Sequence, residues 1–324
     1  WRTGGSPEGV RFLTAAQASA RRADEVLYFP KGAVYIMKKF LSLILVLLLL
    51  CPLAASAETV VTSFYPIWLM AQNLTEGIDG ITVTNLAEPT TGCLHDYTLQ
   101  NSDMVALSKA NVLLINGAGM ETFLPVVTGA YPDLPVVDAS RGILLLESDD
   151  DGESNPHIWL DPQRAVGMAA NLAEGLIQYL PEYSRQISDN LAAYRERLLA
   201  VDQTIRDHLM QVGDLPEVVI FHEAFPYFAD ACELPVLLAV DKEPDDDLST
   251  AQLAGILEMV RQSPSLPLII KSKETDRSVD VLVSETGAPV CELDPITTGP
   301  DNPPLDYYET VMIQNLQTLI ASIK

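Results

Sequence analysis

The sequence predicts an α/β protein of two lobes, each with a parallel β-sheet flanked by helices, joined by one long rigid α-helix. Three observations carry the prediction. Residues 182–212 contain no Gly or Pro, and Ile187, Leu191, Tyr194, Leu198, Val201, Ile205 and Leu209 recur every three or four positions, which lines one helix face. At 1.5 Å per residue that helix is about 45 Å long, too long for a crossover and suited to a strut. On both sides of it, short β-branched runs alternate with amphipathic segments. That rhythm implies parallel sheets with right-handed crossovers.

Taken in order, residues 60–64 read as a first strand and about 66–76 as a helix. Residues 81–86 (ITVTNL) alternate as a second strand, and the loop EPTTGCLHDY that follows carries His95. A helix over about 99–109 leads to the apolar strand 112–115. Asn116-Gly117-Ala118-Gly119 then turns into a helix beginning near Met120, and PVVD at 135–138 makes a fourth strand. The acidic loop ESDDDGESNPH ends at His157. Asp161 suits the N-cap and Pro162 the first position of a helix running to Leu180. Beyond the strut, strand 217–221 ends at His222, and helix 224–231 and strand 235–240 follow. Ser249 caps a helix to Gln262. Strand 268–270, helix 275–285, strand 290–293 ending at Asp294, and helix 305–323 close the chain.

The beginning of the sequence reads differently. Residues 1–36 precede the first Met and are expected to be upstream sequence rather than native protein. Residues 37–57 (MKKFLSLILVLLLLCPLAASA) have a basic start, an apolar run and an Ala-Ser-Ala cleavage site. That is a secretory signal, and the run is too short to span a membrane. Cys51 raises lipid anchoring as the alternative, although Leu50 is bulky for a lipobox. The expected location is the periplasm or the outer face of the cytoplasmic membrane. The expected divisions are therefore a lobe over 58–180, the linker helix over 181–212 and a second lobe over 213–324.

The whole chain has 20 Lys and Arg against 44 Asp and Glu; beyond residue 57 the counts are 13 and 41, a formal charge of −28. Nucleic acid is excluded as a partner, because phosphate binding needs a basic surface. A strongly negative field favours cation encounter, and it also simply keeps proteins soluble. Cys93, Cys232 and Cys291 remain after cleavage, an odd number with no C-x-x-C spacing, so at least one has no partner within the chain.

His95, His157, His222 and Asp294 each follow a strand, two in each half. Ligands of open parallel sheets bind beyond the carboxyl ends of the strands, so two facing lobes would bring these four side chains to one cleft. A lone loop histidine is usually a surface residue, but three of only four histidines share this topological position. Three imidazoles and a carboxylate make a tetrahedral Zn2+ site, with His nitrogens at about 2.0–2.1 Å. Manganese and magnesium prefer oxygen-rich sites. His208, inside the strut, reads as structural. Asp294 is the weaker member, since Asp-Pro commonly ends strands, and Asp161 is a candidate partner for the second ring nitrogen of His157. GAGMET lacks the third glycine of a dinucleotide site, and no Walker A motif occurs. The SDDDGE and EPDDDLS runs resemble calcium loops in composition only.

The run NPHIWLDP, with GCLHDY before it and FHEAFPYFAD after it, resembles the substrate-binding proteins of zinc and manganese ABC uptake transporters. The likeness covers residues 58–324, including the strut and the ELDP near the end. It implies metal held in an interlobe cleft by His95, His157 and His222, with Asp294 fourth, and no catalysis. It implies a membrane permease with its cytoplasmic ATPase as partner, and a monomer. In that family a His at the third ligand position accompanies zinc, and a Glu accompanies manganese in many members. His222 therefore points to Zn2+ as the transported ligand, with Mn2+ or Fe2+ on the same scaffold as the alternative. A zinc hydrolase using Glu223 as base is a further alternative, and the sequence neither supports nor excludes an adhesin role. Two features depart from the family. The His-rich loop of many zinc receptors is here the short, His-free ESDDDGES, and Cys93 stands two residues before His95 as a fifth candidate ligand, expected to point away. Lys271 and Lys273 are expected to reach the cleft and pair with Asp294.

Overall fold

The computed structural model describes residues 57–94, 97–147, 154–240, 248–273 and 276–323, together with Lys39. All the elements named here belong to the unit Ser56–Lys324. The expectations for the upstream and signal segments, for His95 and for most of the two acidic loops lie outside the described residues. Among the described residues, no helix is long and apolar enough to cross a membrane.

Two parallel four-stranded sheets form, as the alternation of elements predicts. The first contains β1 (Glu58–Thr62), β2 (Ile81–Asn85), β3 (Val112–Ile115) and β4 (Val136–Asp138), in the order β2-β1-β3-β4. The second contains β5 (Val218–Phe221), β6 (Val236–Ala239), β7 (Leu268–Ser272) and β8 (Val290–Leu293), in the equivalent order β6-β5-β7-β8. In each sheet the winding reverses beside the first strand, between β1 and β3 and between β5 and β7. Such switch points open a crevice at the carboxyl ends of the strands.

The helices are α1 (Tyr65–Leu74), α2 (Asn101–Leu107), α3 (Leu124–Ala130), α4 (Pro162–Tyr179), α5 (Ser184–Val212), α6 (Pro226–Ala231), α7 (Thr250–Gln262), α8 (Arg277–Thr286) and α9 (Tyr307–Ile323). Short 3-10 turns at Ile158–Leu160 and Pro181–Tyr183 precede α4 and α5. The helix expected near Met120 starts only at Leu124. Gly117, Ala118 and Gly119 take φ of 79°, 53° and 89°, so the turn the sequence predicts there is left-handed.

The strut helix α5 buries Ile187, Tyr194, Leu198, Val201, Ile205 and Leu209, six of the seven residues of its apolar stripe; Leu191 is partly covered. It is no free rod. It packs along α4 and α1 from the first half and α9 from the end of the chain. One apolar cluster therefore runs from β1, β3 and α4 through α5 to β5, β8 and α9. Strand β5 divides its side chains by alternation. Val218 and Ile220 join that cluster, while Val219 and Phe221 face a smaller one closed by Ile256, Val260, Val279 and Leu282 from α7 and α8.

The start of α4 is built as its sequence predicts. Asp161 accepts from Gln163 N at 2.7 Å and Arg164 N at 3.2 Å, and its other oxygen pairs with the Arg164 guanidinium. Asp161→Ala should lower stability by about 1–2 kcal/mol through loss of the cap, read as a shifted urea midpoint at unchanged slope.

Candidate metal centre

His222 follows the last residue of β5 and lies at the switch point of the second sheet. It is 2 % exposed, packs on Phe225, and accepts the Ala224 N–H at Nδ1, 3.1 Å away. His157 reaches the first sheet's switch point by a longer route. Asn116, the residue after β3, donates from Nδ2 to Pro156 O at 2.9 Å and so holds the loop that carries the histidine.

Asn155 sets the His157 ring. Its Oδ1 accepts from His157 N at 2.9 Å and from Nδ1–H at 3.1 Å, while its Nδ2 donates to Glu223 O at 2.7 Å. With Nδ1 carrying the hydrogen, Nε2 presents a lone pair, the tautomer a cation ligand needs. The partner of Nδ1 is thus Asn155 and not Asp161, whose oxygens are committed to the α4 cap and Arg164. An Asx residue two positions before a histidine can fold back on it, which is the signal in the sequence for this contact.

Two groups lie near that nitrogen, and a second imidazole lies near the ring. Glu223 Oε1 lies 3.4 Å away, Cys93 Sγ lies 3.5 Å away, and the His222 ring stands nearly perpendicular with centroids 6.4 Å apart. The expectation that Cys93 points away is incorrect: the loop after β2 turns its thiol onto His157. Of the four candidate ligands, His157 and His222 approach one another, and His95 lies outside the described residues. Asp294 follows β8. Its Oδ2 pairs with Lys273 Nζ at 3.2 Å and its Oδ1 accepts from Ile296 N at 2.9 Å. Lys271 does not join that pair, because it reaches Glu292 at 3.1 Å and Ser272 O at 2.9 Å. Among the described residues, no group of three or more His, Cys, Asp or Glu forms a metal cage by itself.

Ile296 takes φ of 60° while fully buried, a conformation that strains a β-branched residue. The strain is held in place from both sides. Asp294 Oδ1 takes the Ile296 N–H, and Pro295 O takes the Trp159 indole N–H at 2.8 Å. His208, by contrast, hydrogen-bonds Thr204 O one turn back along exposed α5 surface, at 2.8 Å.

Beneath the His157 loop, the Glu121 carboxylate accepts from Asn116 N at 2.7 Å and Gly117 N at 3.0 Å. Burial pushes this carboxyl up to about 7, against the opposing pull of those backbone N–H groups. No motif in the sequence marks Glu121.

Two parallel sheets, each with a histidine at or near its switch point, place His157 and His222 where ligands of such folds bind. The family model described as zinc-uptake complex component A, periplasmic, matches residues 60–322. The chain belongs to that family. It is 28% identical over 285 residues to the high-affinity zinc uptake system protein ZnuA of Haemophilus ducreyi, covering 79% of this chain and 91% of that one. It is 25% identical over 207 residues to the manganese ABC transporter substrate-binding lipoprotein scaA of Streptococcus gordonii, covering 60% and 67%. The crystal structure of the Zn(II)-bound ZnuA-like domain of Streptococcus pneumoniae AdcA superposes with a TM-score of 0.68 at 25% identity, over 82% of this chain and 98% of that one.

Glu121 generates a pH test. Its native carboxyl binds a proton up to about 7 and its unfolded one only to 4.5, so its contribution to stability falls as pH rises across that window. Glu121→Gln should flatten the profile of unfolding free energy between those limits, whatever its constant offset. An unchanged slope would show that Glu121 does not titrate there.

Proposed function

We propose that this chain is an extracytoplasmic receptor that captures Zn2+ in the cleft between its two lobes and delivers it to an ABC-type uptake permease driven by a cytoplasmic ATPase. The lobes are taken as residues 58–180 and 213–324, with 181–212 between them. The proposed ligands are His95, His157, His222 and Asp294. One observation supports the reading: His157 is completely buried, Asn155 holds the hydrogen on its Nδ1, and its ring lies 6.4 Å from that of His222, which comes from the other half of the chain. Burying an imidazole with its acceptor nitrogen aimed at other donor groups serves cation binding better than it serves packing.

Zinc is favoured over manganese by the imidazole at position 222 and by the softer donors around it. The working chain is exported and acts as a monomer, either soluble after signal cleavage or anchored by lipid. It is no enzyme, since a receptor closes its metal with protein ligands and keeps no activated water. The hydrolase alternative needs Glu223 as a base facing a bound water, whereas its Oε1 is turned to His157 Nε2.

Binding requires a small closure. Two imidazoles on one tetrahedral zinc have centroids roughly 5 Å apart, so the 6.4 Å between His157 and His222 must shorten by about 1 Å. His222 must also release the Ala224 N–H before coordinating, because the hydrogen now belongs on Nε2.

Elemental analysis and competition titration test the proposal. The purified protein should retain one zinc, and His157→Ala and His222→Ala should each lose it, while His208→Ala keeps it. Affinity should fall below pH about 6.5, where free imidazoles protonate. Manganese displacing zinc at comparable concentration would overturn the zinc assignment, and esterase or peptidase turnover lost in His222→Ala would overturn the receptor role. Asn155→Ala should weaken zinc binding by about 10–100-fold, the usual cost of removing the group that orients a ligand. The same competition titration reads it.

A further inference from the structure

Cys93 is unlike the other described cysteines. Cys232 and Cys291 are buried in the core, where burial pushes both thiols up, Cys291 to about 11. Neither is poised for chemistry. Cys93 is only partly buried and meets Nε2 of His157.

The spacing is informative. Zinc holds thiolate sulfur at about 2.3 Å and imidazole nitrogen at about 2.0–2.1 Å, so two such ligands at a tetrahedral angle stand about 3.5 Å apart. Cys93 Sγ and His157 Nε2 are 3.5 Å apart. A nitrogen and an oxygen ligand of one zinc stand about 3.4 Å apart by the same geometry. Glu223 Oε1 is 3.4 Å from that nitrogen. With the hydrogen held on Nδ1 by Asn155, His157 Nε2 meets the Cys93 sulfur as an acceptor.

We propose that Cys93 is a ligand of the transported cation, so that the cleft offers sulfur beside nitrogen and oxygen. The proposal rests on the receptor reading and deepens it. On binding, the S–H bond breaks, a sulfur–metal bond forms, and the proton passes to bulk water; no electron is transferred. A thiolate donor tilts selection toward Zn2+ and away from Mn2+.

An S–H···N hydrogen bond has the same length, so the test must read the metal–sulfur bond itself. Titrating the reduced full chain with Co2+ alone should give one bound ion and a near-ultraviolet thiolate-to-cobalt charge-transfer band. Cys93→Ser should bind one Co2+ without the band, while Cys232→Ser and Cys291→Ser keep it. One bound Co2+ with no band in the wild type, or a band that survives in Cys93→Ser, would overturn the proposal. Should Cys93→Ser fail to fold, zinc X-ray absorption of the wild type decides: a sulfur neighbour at about 2.3 Å supports the proposal and a nitrogen–oxygen shell alone overturns it. Failure of the receptor reading has a separate signature, the absence of any stoichiometric Co2+ in the wild type, which ends both.

Discussion

A buried indole must find an acceptor for its N–H, and in this protein that requirement joins the two halves of the molecule. Trp159 is fully buried, and its ring packs on Phe64 and on His157 with centroids 5.2 Å and 5.1 Å away. Its N–H is satisfied by Pro295 O, in the loop after β8, and its carbonyl takes the Tyr308 hydroxyl from α9 at 2.7 Å. One residue therefore touches the entry to α1, a histidine of the proposed site, the Asp294 turn and the last helix. Moving the two sheets apart would leave a buried donor without an acceptor, at a cost of about 1–3 kcal/mol.

Charge adds less to this junction than its geometry suggests. Arg164 reaches across to Asp230 at 2.6 Å while paired with Asp161, and it lies over the Tyr227 ring at 5.1 Å. Asp230 is half exposed, so that ion pair falls in the range of about 0–1 kcal/mol. The continuous apolar cluster along α5 is the stronger tie, and it allows the two sheets only small relative shifts, since packed interiors resist larger ones.

Much of this was legible in the residues. The period of α5 gave its buried face almost side chain for side chain, because a 3.6-residue repeat leaves one stripe to cover. The strand runs and the Asp161 and Ser249 caps were likewise local patterns with local causes. Less legible was the late start of α3, at Leu124 rather than near Met120. The partners of Cys93 and Lys271 could not be read, because adjacent loop residues can face either way and only distant contacts choose.

The sequence by itself determined the elements, their order, the parallel sheets and the family, since these follow from periodicity, capping and short motifs within reach of one another along the chain. Only the tertiary structure decided which atoms meet. His157 and His222 are 65 residues apart, and their approach depends on Asn116, Asn155 and Trp159 making contacts over 40, 68 and 136 residues. Contacts of that span are set by packing of the whole chain, and local sequence carries no record of them.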